Sequence, residues 1–529
     1  MNFGAISVPG NGVSRPDLAV RNDPRQENDT GYLKLVGMTL KALRIDPADN
    51  VATLLEDGRA GDSVVMDGVS VVLREDVAQG HKVALATVAA GEPLIKYGAP
   101  IGNAKHAIAA GDHVHSDNLA TALSGRLDYR YAPTPAAAPV AAAATFMGYR
   151  RADGRVGTRN EIWILPTVGC VARTSERIAA RAAATLGDAV DGVHAFMHPF
   201  GCSQLGEDLD GTRQILASLA CHPNAGGVLI VGLGCENNQI KALLEAVPEW
   251  RRPAIRTLVT QMSGDEVAEG VALVAELAEL ARCARSEVGL ESLVIGVKCG
   301  GSDGLSGLTA NPLVGRISDR VTAAGGRVIL TEIPEMFGAE QVLMNRAADG
   351  QVFESIVGLV NDFKQYFLDH GEPISENPSP GNIAGGITTL EEKALGAVQK
   401  AGRAAVADVI GYGARASAPG LTLLEAPGND AVSSTALAAA GATAILFTTG
   451  RGTPLGFPVP TIKIASNSDL ARRKPGWIDF DAGTVLDQGF ESAEAALLAR
   501  LADIASGAET AAERNGEREI AIWKRGVTL

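Results

Sequence analysis

A chain of 529 residues with 46% apolar and 20% charged side chains sits near the globular averages of ~45–50% and ~25%, which excludes global disorder and a single small module. Its 47 Lys and Arg against 61 Asp and Glu give a net charge of −14, which repels phosphate backbones and anionic lipid and excludes nucleic acid as an expected partner. The 61 glycines exceed the usual ~7% and predict tight turns and places where backbone approaches a ligand.

Residues 1–30 carry neither an apolar stretch nor an Arg-rich amphipathic pattern, so they read as a disordered tail of a cytosolic protein rather than a targeting signal. From 31 to 132, short runs such as SVVMDGVSVVL and HKVALATV between turns predict a small, mostly β domain. The Ala/Pro stretch 133–146 reads as a semi-rigid linker. Beyond it, strand-like runs at 162–168, 193–197, 227–233, 255–261, 293–297 and 327–333 alternate with helical patterns such as RTSERIAARAAATLG. That alternation predicts a parallel sheet covered by helices. The turn-rich ENPSPGNIAGG separates a first α/β unit, 147–385, from a second, 386–529, with strands near VADVI, LTLLEA, ATAILFT and TIKIA. Ala431 to Gly450 is uncharged over 20 residues but breaks at Gly441 into helix-like and strand-like halves, so it reads as a buried α/β element and not a membrane span.

In open α/β sheets ligands bind beyond the carboxyl ends of the strands. Those positions hold Cys170, Cys202, Cys235 and Cys299, together with His198, Ser302 and Asp303. If the strands are neighbours, the four thiols converge on one rim and, with His198, suit a soft or borderline metal such as iron or zinc. Small residues are also welcome at strand–helix turns, so packing alone accounts for the pattern equally well. Six cysteines in a large cytosolic chain argue against a disulfide scaffold. Glu332, ending the sixth strand, is a candidate ligand or base, or a helix cap.

The segment GVLIVGLGCEN has the strand-turn-helix form of a dinucleotide fingerprint but places Asn237 where a third small residue belongs. A nucleotide-dependent oxidoreductase is therefore one alternative, and a non-catalytic sugar-acid-binding protein another. The loops Gly428-Asn429-Asp430 and Thr448-Thr449-Gly450-Arg451 follow strands, and Arg451 between glycines is suited to clamp a carboxylate, with Asn429 and Thr449 as further substrate contacts. In the β domain, His81 and Lys82 lie on a turn, and His113 and His115 have the spacing that puts both imidazoles on one face of a strand, which permits metal binding or proton transfer.

These residues lie in phrases that resemble the altronate/galactarate dehydratase family over residues 40–529: RNEIWILPTVGCV, HPNAGGVLIVGLGCENNQ, CGGSDGLSGLTANP, AGGITTLEEKALG and FTTGRGTP. DPADNVATLL and IAAGDHVHSDN resemble its SAF module, a β-clip fold. GCSQLG, EMFGAEQ and HVH are features of the altronate branch. The resemblance implies a hydro-lyase of hexuronate catabolism taking D-altronate to 2-dehydro-3-deoxy-D-gluconate, with galactarate or another sugar acid as the alternative substrate. It also implies an Fe(II) cofactor, with Mn(II) as a substitute, and a homodimer. On this reading Cys170, Cys202, Cys235 and Cys299 hold or border the iron, His81, His198, Lys82 or Glu332 moves protons, and Arg451, Asn429, Thr449, Ser302, Asp303, His113 and His115 contact the sugar acid.

Overall fold

A computed structural model describes residues 37–134 and 144–526 and Thr528. The expected tail 1–30 and most of the expected linker lie outside the described residues. The N-terminal module is built of short strands joined by tight turns. One sheet runs Ala42–Leu43, Val51–Leu54, Lys82–Ala84 and His113–Val114, all antiparallel. Its turns depend on glycine: Gly111 has φ +88°, and a Cβ there would lie 2.0 Å from the Val72 carbonyl oxygen, a position only glycine can fill. Leu54, Val64, Leu73, Val77 and Val83 form its small core. The chain leaving it lies against the C-terminal body, where Tyr131 Oη donates to Ala347 O at 2.9 Å. Phe146, expected in the linker, belongs to strand Thr145–Arg150, which pairs with Ser286–Gly289.

The next unit is a four-stranded parallel sheet ordered Gly192–Ala195, Glu161–Pro166, Ala225–Gly232, Ile255–Val259. Strand Glu161–Pro166 is buried throughout, and its alternation assigns each face. Ile162 and Ile164 pack with Ile178, Val274 and Leu277 from helices Ala172–Leu186 and Glu266–Leu280. Trp163 and Leu165 point the other way, onto Ile215, Leu216 and Leu219 of helix Gly206–Ala220. Covering both faces is what the near-continuous apolar runs require.

The second sheet has seven parallel strands, ordered Val406–Ile410, Gly420–Leu424, Arg327–Leu330, Val294–Cys299, Ala444–Thr449, Thr461–Ala465 and Phe480–Asp481. This register corrects the division at 385/386. Strand Val294–Cys299 pairs with Ala444–Thr449 rather than with the first sheet, so the sheets divide between Val259 and Val294. Apolar runs announce a strand but not which sheet it joins. Ala431 to Gly450 splits as expected, into helix Asp430–Ala439 and strand Ala444–Thr449 around Gly441, which has φ +101°. No helix of the described residues is long and apolar enough to cross a membrane.

Trp163 lies in the core shared by the two sheets, with Ile445 and Phe447, meeting Phe196 edge-on at 5.1 Å and stacking at 4.9 Å on His222, whose Nε2 is 3.0 Å from Ala442 O. The indole Nε1 donates to Glu161 Oε2 at 2.8 Å. Trp163→Ala is expected to cost about 3–5 kcal/mol, read as a lower urea-unfolding midpoint; an unchanged midpoint would show that the indole is not part of that core.

Candidate active site

Strand Val294–Cys299 ends in a glycine-rich turn that reaches the neighbouring strand's loop. Gly301, at φ +65°, accepts on its carbonyl from the Gly450 and Arg451 amides, both at 3.0 Å. Asp303 binds the turn in place, accepting from Ser306 Oγ and Ser466 Oγ at 2.8 Å and Asn467 Nδ2 at 2.9 Å. Asn382 Nδ2 donates to Ser302 O at 2.8 Å, and Ser302 is buried. Above this floor the exposed Arg451 extends to the turn after Ser379, with Nη1 3.4 Å from Gly381 O.

The N-terminal module docks on that same turn. A Cβ on Gly304 would lie 1.9 Å from Gly80 O, so backbone meets backbone. His81 Nε2 is 3.4 Å from Ala384 O and His115 Nε2 is 3.3 Å from Ile383 O. The rings of His81, His113 and His115 lie 5.0–5.5 Å apart, and His81 Nδ1 is 3.0 Å from His113 Nε2. Burial pushes the His81 imidazolium down, with Lys82 and His115 adding to the effect. Burial and the charges of His81, His115 and Lys82 hold His113 at about 4. Both rings are neutral at pH 7, and both nitrogens of His81 are engaged, by His113 Nε2 and by Ala384 O.

Beneath the imidazoles lies a charge triad that sequence reasoning missed. Lys82 Nζ donates to Gly386 O at 2.7 Å and to Glu392 Oε2 at 2.9 Å, and Lys96 Nζ donates to Glu392 Oε1 at 2.9 Å. All three side chains are no more than 2% exposed. Burial alone would raise the Glu392 carboxyl, but Lys82 and Lys96 outweigh it and hold it at about 2. Lys82 is therefore a docking residue, and burial lowers its ammonium to about 8 against the pull of Glu392. The only local signal for Glu392 was its position three after Thr389, whose hydroxyl accepts from its amide as the helix cap.

Other candidates are corrected by their surroundings. His198 is buried, its Nε2 2.8 Å from Pro166 O and its Nδ1 accepting from the Phe200 amide, so neither nitrogen is free. Asn429 Oδ1 caps helix Asp430–Ala439, and Thr449 Oγ1 accepts from the Gly452 amide at 2.8 Å. Glu332, at φ +68°, is 1% exposed, 3.1 Å from Lys298 Nζ, and accepts from the Cys299 amide. Burial raises its carboxyl to about 7 against the pull of Lys298. The fingerprint-like turn cannot cradle a phosphate, because Glu236 accepts from the Leu233 and Gly234 amides that a phosphate would need.

The thiols separate into two places. Cys299 ends a strand of the seven-stranded sheet and is buried, whereas Cys170, Cys202 and Cys235 are exposed beyond the four-stranded one. Their three loops interlock: the Gly169 amide donates to Phe200 O, the Asn238 amide to Gly201 O and the Ser203 amide to Asn237 Oδ1, each at 2.9 Å. The two edges are joined by the C-terminal segment, where Arg525 binds Asp208 through its amide and Glu425 through its guanidinium. A cavity of about 580 Å³ opens at the opposite edges of the strands, among Arg155, Trp250, Arg327 and Arg415, and contains none of the expected site residues.

Glu392→Gln leaves two buried ammonium groups without a countercharge, an expected loss of about 3–5 kcal/mol. Because the native carboxyl is held below the ordinary ~4.3, its contribution is present above that pH and is lost as pH falls toward about 2. Acid unfolding of both proteins measures this: the variant should lack that portion of the pH dependence, and identical profiles would remove the triad from the docking surface.

Three family models match in chain order: the altronate/galactarate dehydratase SAF domain over 40–122, the second domain of D-galactarate dehydratase/altronate hydrolase over 148–282, and the C-terminal domain of D-galactarate/altronate dehydratase over 290–528. The gap from 282 to 290 falls where the two sheets divide. An altronate dehydratase of Escherichia coli is 50% identical over 495 residues, 93% of this chain and 100% of that one. One of Bacillus subtilis is 48% identical over 493 residues, 92% and 99% of the two chains. The galactarate dehydratase (L-threo-forming) of Escherichia coli is 33% identical over 504 residues, 91% and 94%. With the whole architecture matched in order and relatives aligned end to end, the chain belongs to the altronate/galactarate dehydratase family.

Proposed function

We propose that the chain is a hydro-lyase converting D-altronate to 2-dehydro-3-deoxy-D-gluconate and water, within hexuronate breakdown in the cytosol and as a homodimer. The observation that carries it is the meeting of unlike groups on one turn: the Arg451 guanidinium reaches Gly381 O while His81 and His115 reach Ala384 O and Ile383 O. The choice of altronate over galactarate rests on 50% and 48% identity to altronate dehydratases against 33% to a galactarate dehydratase.

The elimination removes the proton at C2 and hydroxide from C3, and its obstacle is the weak acidity of a C–H beside a carboxylate. Arg451 presents a planar fork to that carboxylate and draws off the charge that grows on its oxygens as the proton leaves. In a chain of net charge −14 this cation also attracts the anionic substrate. Of the two neutral rings His113 is the candidate base, since both nitrogens of His81 are engaged, and the protonated ring then returns the proton to the departing hydroxide. The resulting enol tautomerises to the 2-keto acid.

Iron is part of this reading, and the donors discriminate between two places. The exposed thiols of Cys170, Cys202 and Cys235, carried on interlocked loops, are of the donor type that suits Fe(II) better than the harder Mn(II), but their sulfurs do not form a compact set within 4.8 Å of one another. Cys299 with Glu332 and Glu335 forms the one compact donor set among the described residues. Lys298, Lys393 and Lys400 already engage those donors, so that set does not fit a dication. Iron on the rim thiols would supply Lewis-acid polarisation of a substrate oxygen.

Turnover of D-altronate, D-galactarate and other sugar acids under anaerobic Fe(II), read by a 2-keto-3-deoxy-acid assay, tests the assignment. Altronate should be fastest, and activity should fall after chelation and air exposure. Faster galactarate turnover would overturn the substrate, and full activity after chelation the metal. Arg451→Lys keeps the charge and loses the fork, with an expected loss of roughly 1.5–3 kcal/mol, about 10- to 150-fold in kcat/KM. An unchanged kcat/KM would take Arg451 out of the site.

A further inference from the structure

Below the candidate site, Lys400 is placed unlike any other buried lysine described above. It is 1% exposed, yet its Nζ donates to Cys299 Sγ at 2.9 Å and its nearest carboxylate oxygen, Glu332 Oε2, is 4.0 Å away. Burial pushes the Cys299 thiol up to about 12 despite the neighbouring lysine, so the sulfur is neutral and the contact is not an ion pair. The thiol proton points elsewhere, to Glu335 Oε2 at 3.3 Å, which leaves a sulfur lone pair directed at the nitrogen. Glu335 is in turn held by Lys393 at 2.8 Å. A buried ammonium whose direct contact is a neutral sulfur and whose countercharge lies 4.0 Å away loses solvation that is only partly offset, which is costly for packing alone.

We infer that Cys299 and Lys400 are a modification site, where dioxygen links Cys299 Sγ to Lys400 Nζ through a single bridging oxygen. The thiol, the ammonium and one O2 yield the sulfur–oxygen–nitrogen bridge, one water and one proton. One S–H and two N–H bonds and the O–O bond break; one S–O, one O–N and the two O–H bonds of water form. Sulfur and nitrogen each give up two electrons, and the four reduce dioxygen. The remaining proton, shed by the ammonium, passes to the carboxylates of Glu332 or Glu335.

Geometry selects this product over the usual ends of thiol oxidation. All six cysteines are free, so no disulfide competes at Cys299. A direct sulfur–nitrogen bond would pull the Lys400 side chain down onto the strand end, whereas an inserted oxygen needs little movement from 2.9 Å. The link does not depend on which substrate the chain takes.

The test uses the purified full-length chain, split into air-exposed and anaerobic samples and mapped by peptide mass spectrometry. In air, peptides carrying Cys299 and Lys400 should appear joined, with one oxygen gained and two hydrogens lost relative to the separate pair. The joined species should vanish on treatment with dithiothreitol and be absent without oxygen. A Lys400→Arg chain, which keeps the charge, should give no joined species. Free Cys299 after prolonged air exposure, a sulfinic acid with no link, a joined pair lacking the oxygen, or a link to Lys298 or Lys393 would each overturn the proposal.

Discussion

Docking of the N-terminal module onto the C-terminal body encloses one carboxylate between two lysines. Glu392, from the helix after Thr389, accepts from two lysines that belong to a different module, and none of the three sees solvent. Attraction between buried charges is strong, but so is the cost of stripping them of water, and the arrangement tolerates little displacement. Its effect is positional. With Lys82 fixed, the adjoining His81 is held against Ala384 O, and His113 and His115 are carried with it on neighbouring strands. The imidazoles thus stand beside Arg451 because of an ion triad that itself makes no contact with the turn beyond Gly386 O.

Most strands of both sheets were legible because they are apolar runs bounded by turn residues, whereas Phe480–Asp481, only two residues long, was not. Glu161–Pro166 and Ala225–Gly232 differ from the expected runs by a residue or two. Sheet membership was not legible, since nothing in VIGVKC says that it will pair with AILFTT, and the expectation that four thiols share a rim failed there. Among the candidate site residues, Arg451 and the HVH pair carry local signals, flanking glycines and period-two spacing. The triad was not legible: Lys82 and Glu392 are 310 positions apart, and each alone reads as a surface charge. His198 and Glu332 stand at strand ends, a local signal that says nothing of the partners they meet there, Pro166 O and Lys298.

The two sheet edges divide the chemistry by donor type. Soft, exposed sulfur lies beyond the four-stranded sheet, and imidazole with guanidinium lies beyond the seven-stranded one. The lysine-rich layer under the second edge explains the difference, because ammonium groups on Glu332, Glu335 and Cys299 leave no room for a cation there.

The span between the docked partners also bears on how the chain is made. The imidazoles of residues 81–115 are synthesised first, while the turn that receives them arrives some three hundred positions later, as the 303-residue separation of His81 and Ala384 records. Until then Lys82 and Lys96 lack the carboxylate that pairs with both of them in the fold. Completion of the site is thus a late event in biosynthesis, set by emergence of the helix bearing Glu392 from the ribosome.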